Sequence, residues 1–167
     1  KQHVKLAADR LLEWMKPNGQ WEVAYENKTL KPTFTDITDL RPTFYGLLIA
    51  YEILKDKKYL QAAIQGADWY VENAVKKGHF LGVCDTRFVP DFATAQSAQA
   101  LLELYNVTKN EKYKEAAIST AKIYTASVYT HPIPTSVVKQ VKGIERKDWE
   151  ISQVGLSFEH GGVAGSA

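Results

Sequence analysis

The chain repeats itself after 54 positions, and this repeat restricts the fold more than any single motif does. Tyr59, for example, recurs as Tyr113. The residues that recur in this way are Leu47, Leu48, Tyr51, Tyr59, Ala62, Ala63, Ile64, Ala67 and Tyr70, matched by Leu101, Leu102, Tyr105, Tyr113, Ala116, Ala117, Ile118, Ala121 and Tyr124. A repeat of this length is typical of stacked supersecondary units, each of which buries its apolar face against the next.

The repeated unit is predicted to be a pair of antiparallel helices. In the first copy, apolar residues recur at the three-and-four spacing of one helix face over residues 44–54 and again over residues 59–74. A charged break at residues 55–57 separates the two helices. A weaker copy of the second helix opens the chain, because Val4 aligns with Tyr59 after a shift of 55. The pattern therefore predicts an all-α fold of helical hairpins, forming a single domain over residues 1–167.

The predicted links between helices alternate between short and long. Within each hairpin the link is short and charged, at residues 55–58 and 108–111. Between hairpins the links are long, at about residues 17–40, 77–92 and 129–152. In a stack of antiparallel hairpins all links of one kind lie at the same end, so one end is predicted to carry three long loops. Such loops are usually functional, and these are rich in acidic and aromatic residues.

The composition is that of an ordinary globular protein and argues against several functional classes. Of the 167 residues, 45% are hydrophobic and 24% are charged, which suits one domain with a sizeable core. The net charge of +2, with lysines scattered over the turns, argues against nucleic-acid binding. The apolar runs are too short for a membrane helix. Because the chain begins at Lys1 within a repeat, we expect an upstream region or a removed leader.

Three segments resemble the (α/α) toroids of the six-hairpin glycosidase superfamily, most of all the unsaturated glucuronyl and rhamnogalacturonyl hydrolases of glycoside hydrolase families 88 and 105. These segments are residues 17–21 (PNGQW), 36–48 (DITDLRPTFYGLL) and 85–95 (DTRFVPDFATA). The resemblance implies that the antiparallel hairpins form an (α/α) toroid or part of one. A closed toroid needs more hairpins than the two complete ones predicted here, so the chain is expected to be a fragment of a larger toroid.

The resemblance also implies acid/base chemistry by aspartate. Enzymes of this group place an aspartate at the start of an inner helix, and Asp39 and Asp91 lie at such positions, which makes them the predicted catalytic residues. In the glucuronyl type, an aspartate protonates the double bond of an unsaturated uronic sugar and activates water. That role requires a carboxyl group whose pKa is poised near neutrality. An inverting hydrolase needs two carboxyl groups roughly 6.5–9.5 Å apart.

Substrate contacts are implied for cationic and aromatic residues of the long loops. Arg41 or Arg87 is predicted to grip a sugar carboxylate through paired hydrogen bonds. His160 is predicted to line the site beside a glycine-rich C-terminal segment, for which fraying is the alternative. The residues predicted to stack on sugar rings are Trp21, Phe34, Tyr45 and Trp149.

Several of these residues also have a purely structural interpretation. An aspartate just ahead of a helix commonly caps it, so capping is the alternative for Asp39 and Asp91. Arg41 would then simply pair with Asp39 at the surface. Trp14 and Trp69 lie on helices of the outer type, where packing in the core or at its rim is expected.

No metal or cofactor is predicted. His79, Cys84, Asp85 and His160 are of metal-ligand types, but their spacing matches no zinc pattern. A lone cysteine is usually a small buried hydrophobe, and it also excludes an internal disulfide framework.

The sequence thus favours a carbohydrate-active, glycoside hydrolase-like enzyme that acts on an oligosaccharide, with uronic acid-containing glycans among the candidate substrates. Such a protein is expected to be periplasmic or secreted, with an oligosaccharide or polysaccharide as its partner and neither a nucleic acid nor a membrane. The alternative is a non-catalytic helical-repeat module that binds a glycan or a protein at its loop-bearing end. A third interpretation is a trimmed fragment whose exposed apolar flank promotes self-association.

Overall fold

The computed structural model describes residues 1–80, 92–128 and 138–147, and most of these residues are helical. The α-helices are α1 (Gln2–Trp14), α2 (Phe44–Leu54), α3 (Lys57–Tyr70), α4 (Phe92–Thr108) and α5 (Glu111–Ser127). A π-helix (Val71–Val75) continues α3. Helix α2 packs along α3, and α4 packs along α5, so that two hairpins form, while α1 lies against α2 and α3.

The two hairpins end their first helix in the same way, which explains part of the sequence repeat. Lys55 follows α2 with φ of 61°, and Lys109 follows α4 with φ of 56°, so both residues adopt the left-handed conformation. Each lysine amide donates to the carbonyl of a repeated tyrosine, Tyr51 or Tyr105, at 2.7 Å. This bond satisfies a helix carbonyl that would otherwise lack a partner and turns the chain sharply.

The two hairpins also start their second helix in the same way. The Asp56 side chain accepts a hydrogen bond from the Lys58 amide at 3.0 Å, and the Asn110 side chain accepts one from the Lys112 amide at 3.2 Å. Asp and Asn are both preferred N-cap residues because their short side chains reach the unpaired amides of the first turn. The charged break that the repeat predicts is therefore a C-cap followed directly by an N-cap.

A further repeated contact joins the leading helix α1 to α3 and α3 to α5, the second helices of the two hairpins. The Tyr59 hydroxyl, at the start of α3, donates to Asp9 of α1 at 2.8 Å. The Tyr113 hydroxyl, at the start of α5, donates to Asp68 of α3 at 2.5 Å. In both cases the lysine that precedes the tyrosine reaches the same carboxylate oxygen. The repeat thus preserves the contacts from α1 to α3 and from α3 to α5 as well as the turn inside each hairpin.

The core lies between the helices, and 11 of the 23 buried apolar residues in the described part of the chain come from the repeated positions. The tyrosine ring of Tyr70 is fully buried, 5.7 Å from the Phe44 ring and 6.4 Å from the Phe80 ring. Its hydroxyl donates to the buried Ser97 of α4 at 2.7 Å, and Ser97 in turn donates to the Ala93 carbonyl at 2.8 Å. Tyr70 therefore joins the two hairpins through both an apolar ring and a satisfied polar group.

Two of the long links contain short strands, which the repeat did not predict. In the first link, β1 (Ala24–Tyr25) pairs antiparallel with β2 (Pro32–Thr33). Farther along the chain, β3 (Val138–Val141) pairs with β4 (Ile144–Lys147) through a two-residue turn at Lys142 and Gly143, both of which have positive φ. Two positive φ values give the type I′ turn that matches strand twist. Pairs of strands this short escape a search for apolar periodicity.

The all-α architecture of packed helix pairs is confirmed. The leading helix, predicted from the weak third copy, is present as α1, and both hairpins lie where the repeat places them. Closure of the hairpins into a toroid and the single domain over residues 1–167 stay predictions.

One tight approach fixes the first long link against the helices. The Trp21 ring is buried, and its Nε1–H donates to the Leu11 carbonyl of α1 at 2.8 Å. The ring edge lies directly over Gly66 of α3, where an added Cβ would come within 2.7 Å of the ring. Only glycine leaves room for the tryptophan at this point.

We expect Gly66→Ala to destabilise the protein by about 1–3 kcal/mol, because the added methyl group displaces the Trp21 ring from its position over residue 66. The measurement is urea-induced unfolding followed by circular dichroism. Gly46→Ala in α2 is the matched control, since its added Cβ meets only the flexible end of Leu11 at 3.0 Å. That variant should be neutral or more stable, because alanine is the better helix former. An equal loss of unfolding free energy in the two variants would show that the contact between Trp21 and Gly66 is not what makes the Gly66→Ala variant less stable.

We expect Tyr113→Phe to lower the free energy of unfolding by about 1 kcal/mol at neutral pH, because Asp68 loses a hydrogen bond. Burial and the Asp68 carboxylate raise the pKa of the Tyr113 hydroxyl. The contribution of this hydroxyl group to the free energy of unfolding is therefore fully present below the ordinary tyrosine pKa of about 10 and declines as pH rises above it. Unfolding titrations at neutral and alkaline pH should show this decline in the wild type and a smaller one in Tyr113→Phe. Tyr51→Phe, whose hydroxyl has no hydrogen bond to another described residue, is the control.

Candidate functional site

A cavity of about 300 Å³ lies where α1 ends, the first long link begins and the chain enters α2. Its volume is at the lower end of the range of small-molecule sites. Its walls combine apolar, aromatic and charged side chains. The lining residues are Leu11, Trp14, Trp21, Glu22, Val23, Ala24, Tyr25, Asp39, Arg41 and Thr43. The cavity therefore brings together three of the predicted site residues, namely Trp21, Asp39 and Arg41.

Asp39 is the buried carboxylate of this cavity. It is 4% exposed and lies four residues ahead of Thr43, the N-cap residue of α2. Its Oδ1 accepts hydrogen bonds from the Arg41 Nε–H at 2.8 Å and from the Arg41 amide at 3.2 Å. Its Oδ2 accepts one from the Thr43 hydroxyl at 3.1 Å. Asp39 thus supports the entry to α2 from outside the helix and does not occupy the N-cap position.

Two kinds of interaction shift the pKa of Asp39 in opposite directions. Burial raises the pKa of the Asp39 carboxyl, because a charged group loses its hydration there. The Arg41 guanidinium and the Thr43 hydroxyl act in the other direction, and burial prevails, so the pKa lies above its usual value. A raised carboxyl pKa in a cavity is a common property of general acids.

Arg41 connects Asp39 to the first long link. One edge of its guanidinium is used within the protein, since Nε–H binds Asp39 and Nη2–H donates to the Val23 carbonyl at 2.6 Å. The guanidinium is nevertheless part of the cavity wall. A bidentate grip on a ligand through the same edge would require Arg41 to release one of these partners.

An aromatic pair forms one side of the cavity. The rings of Trp14 and Tyr25 are stacked, with centroids 4.3 Å apart and an angle of 23° between their planes. The Arg10 guanidinium lies over the Trp14 ring, 5.4 Å from its centroid. Trp14 packs against the core, as predicted, and it also lies in the wall of the cavity, which was not predicted. Its place on the last turn of α1, next to the first long link, is the sequence signal that could have identified it.

The remaining charges at the cavity compensate one another. Glu22 is mostly buried and pairs with Lys16 at 2.6 Å. Burial, with a further contribution from the Glu22 carboxylate, raises the pKa of the Tyr25 hydroxyl, so Tyr25 is neutral at neutral pH. Glu22 was not among the predicted site residues, although it directly follows Trp21 in the sequence. With Asp39 paired to Arg41, the cavity holds two internal ion pairs.

Two other predicted residues are described but do not line this cavity. Phe34 follows β2 with φ of 55° and is 53% exposed. Tyr45 donates its hydroxyl to Glu103 of α4 at 2.9 Å, and Gln99 binds the same carboxylate oxygen. Burial and the Glu103 carboxylate raise the pKa of Tyr45 to about 12. In this structure Tyr45 joins α2 to α4, and sugar stacking by Tyr45 and Phe34 stays a prediction.

The other predicted site residues lie outside the described residues. These are Arg87, Asp91, Trp149 and His160, together with the metal-ligand types Cys84 and Asp85.

Neither a metal cluster nor a membrane helix is found in the part of the chain that the structure describes. Over residues 1–80, 92–128 and 138–147, no group of three His, Cys, Asp or Glu side chains is arranged to hold a metal ion. Among these residues, no helix combines the length and the apolar character that crossing a bilayer requires.

Comparison with known proteins gives one family. Residues 41–146, which include α2 to α5 and most of the β3–β4 hairpin, match the family model of Glycosyl Hydrolase Family 88. The match begins at Arg41, inside the cavity described above. No curated protein matches the chain.

We expect the effect of Asp39→Asn on stability to depend on pH in a defined direction. Because the folded-state pKa is raised, the Asp39 contribution is fully present below the ordinary value of 3.8 and is lost as pH rises through the folded pKa. The variant cannot titrate at this position. Its unfolding free energy relative to the wild type should therefore increase between about pH 3 and pH 7 in denaturant titrations. A relative stability that falls over this range would show that ion pairing outweighs burial at Asp39.

Proposed function

Because the chain belongs to glycosyl hydrolase family 88, we propose that it carries out acid/base cleavage of an oligosaccharide, with Asp39 as a proton-transferring carboxyl group. The observation that carries this proposal is the burial of the Asp39 carboxyl group in the cavity, which raises its pKa. A carboxyl group in such surroundings holds a proton closer to neutral pH, where it can deliver it to a reacting atom.

The walls of the cavity support a sugar as the ligand. Sugar rings combine an apolar face with hydroxyl edges, so they suit sites with aromatic walls and a few polar groups. Here the Trp14–Tyr25 stack and the Trp21 ring supply the aromatic surface, while Asp39 and Thr43 supply polar atoms. We place the reacting sugar against this surface, with its hydroxyl groups toward the start of α2.

The second carboxyl group of the proposed mechanism is Asp91, which directly precedes α4 as Asp39 closely precedes α2. Because α2 and α4 are the first helices of their hairpins, we place their starts at the same end of the hairpin stack. One carboxyl group protonates the substrate and the other assists the attacking water. An unsaturated uronic sugar at the end of an oligosaccharide is the proposed substrate class, by the family resemblance of the loop segments.

The purified protein should act on at least one member of a panel of unsaturated uronic oligosaccharides and neutral glycans. Asp39→Asn should lower kcat by about 100- to 10,000-fold, the usual contribution of a general acid or base, while leaving the circular dichroism spectrum unchanged. Asp91→Asn tests the second carboxyl group in the same assay. Asp36→Asn, an exposed aspartate three residues upstream on the same link, is the matched control and should retain activity.

Two outcomes would contradict parts of the proposal. Wild-type turnover that both Asp39→Asn and Asp91→Asn retain would show that the catalytic residues are elsewhere. Binding of a glycan without turnover, unchanged in both variants, would instead identify a non-catalytic binding module.

A further inference from the structure

The Asp39–Arg41 pair is unequally exposed. The Asp39 side chain is 3% exposed, whereas the Arg41 side chain is 35% exposed. A ligand that enters the cavity therefore meets the guanidinium before it meets the carboxylate. Within the described residues, the hydrogen bonds of the guanidinium run from Nε and Nη2, so a ligand anion that binds the Nε–H must replace the Asp39 carboxylate.

Arg41 is also held independently of Asp39. Its Nη2–H donates to the Val23 carbonyl at 2.6 Å, and this bond does not involve the carboxylate. If the contact with Asp39 is lost, the Val23 carbonyl keeps the guanidinium at the cavity wall. A small rotation of the planar group can then change its carboxylate partner without removing the charge from the site.

From this geometry we propose that an anionic group on a bound sugar displaces Asp39 from Arg41, and that Asp39 then takes up one proton from water. The proposal rests on the function proposed above and deepens it, because it makes the acid form of Asp39 depend on a charged ligand. The only bond formed is the O–H bond of the carboxyl group. Arg41 keeps its charge throughout, and no electron is transferred.

The physical reason is the high cost of an unpaired buried charge. With Arg41 engaged by the ligand, Asp39 would be a carboxylate out of water without a counter-ion, and such a group binds a proton instead. The protonated carboxyl keeps its contact with the Thr43 hydroxyl, which can act as donor or acceptor. A neutral sugar leaves the ion pair between Arg41 and Asp39 intact, so Asp39 is not protonated when it binds.

The other titratable groups around the cavity do not supply this response. Glu22 from the first link is already paired with Lys16 at 2.6 Å, and Tyr25 from β1 is neutral with a raised pKa. Arg10 of α1 lies over the Trp14 ring. Of the groups that surround Asp39 in the described structure, Arg41 alone forms an ion pair with it.

The experiment is isothermal titration calorimetry of the intact chain with D-glucuronate, in buffers of different ionisation enthalpy, over a series of pH values from acidic to neutral. The dependence of the heat on the buffer gives the number of protons taken up per ligand bound. For the wild type we expect a net uptake that approaches one proton in the window between the free and the liganded pKa of Asp39 and falls away on either side. D-glucose is the neutral probe and should cause no uptake.

Two variants identify the residue that takes up the proton, and a third tests the role of Arg41 in binding. Asp39→Asn should bind glucuronate without uptake, because the amide cannot titrate. Asp36→Asn should retain the uptake, because Asp36 is exposed and does not line the cavity. Arg41→Lys should weaken binding, since an ammonium group cannot hold the Val23 carbonyl and a ligand carboxylate in the same planar arrangement.

Infrared difference spectroscopy of the wild type gives a second readout that needs no substitution. Addition of glucuronate should produce the carbonyl band of a protonated carboxylic acid, and this measurement decides the question even if Asp39→Asn fails to fold. The proposal is overturned if glucuronate does not bind, if it binds without proton uptake, or if the uptake persists in Asp39→Asn. Turnover of glycans without uptake would contradict only this exchange, whereas uptake without turnover of any glycan would contradict only the proposed function.

Discussion

The packing of the Trp21 ring against Gly66 is the contact on which the rest of the cavity depends. The first long link contains almost no regular structure, so its path is set by the few points at which it is anchored. At Trp21 the ring edge fits against a helix position that lacks a side chain, and the indole N–H binds the carbonyl of Leu11. This anchor joins α1, the link and α3, and it places residues 22–25 along the cavity.

Arg41 completes the same arrangement from the other end of the link. It binds the Val23 carbonyl just beyond the Trp21 anchor and Asp39 just before α2, so the two ends of the link are fastened together. The cost of this arrangement is a carboxylate held almost entirely out of water, which no helix end requires. Buried ion pairs stabilise proteins poorly, because desolvation offsets their attraction.

The hairpins were predictable from the sequence because their determinants are local and are written twice. The turn residues at 55–56 and 109–110 cap their helices through bonds to neighbours two to four residues away, so the same short pattern gives the same geometry. The links were less predictable, because the β1–β2 pair and the β3–β4 hairpin are too short to show a period. The places of Trp14 and Glu22 in the cavity wall were missed for a related reason, because they depend on neighbours in space.

The sequence alone determined the helical hairpins, their order and the concentration of acidic and aromatic residues in the long links, since periodicity and capping act over a few residues. It also gave Asp39 and Arg41 as candidates, through the family resemblance of the segment that contains them. Only the tertiary structure decided that Asp39 is buried, that one edge of Arg41 is already used, and that Trp14 faces the cavity. Burial and partner choice depend on contacts between segments far apart in the chain, and no local pattern encodes them.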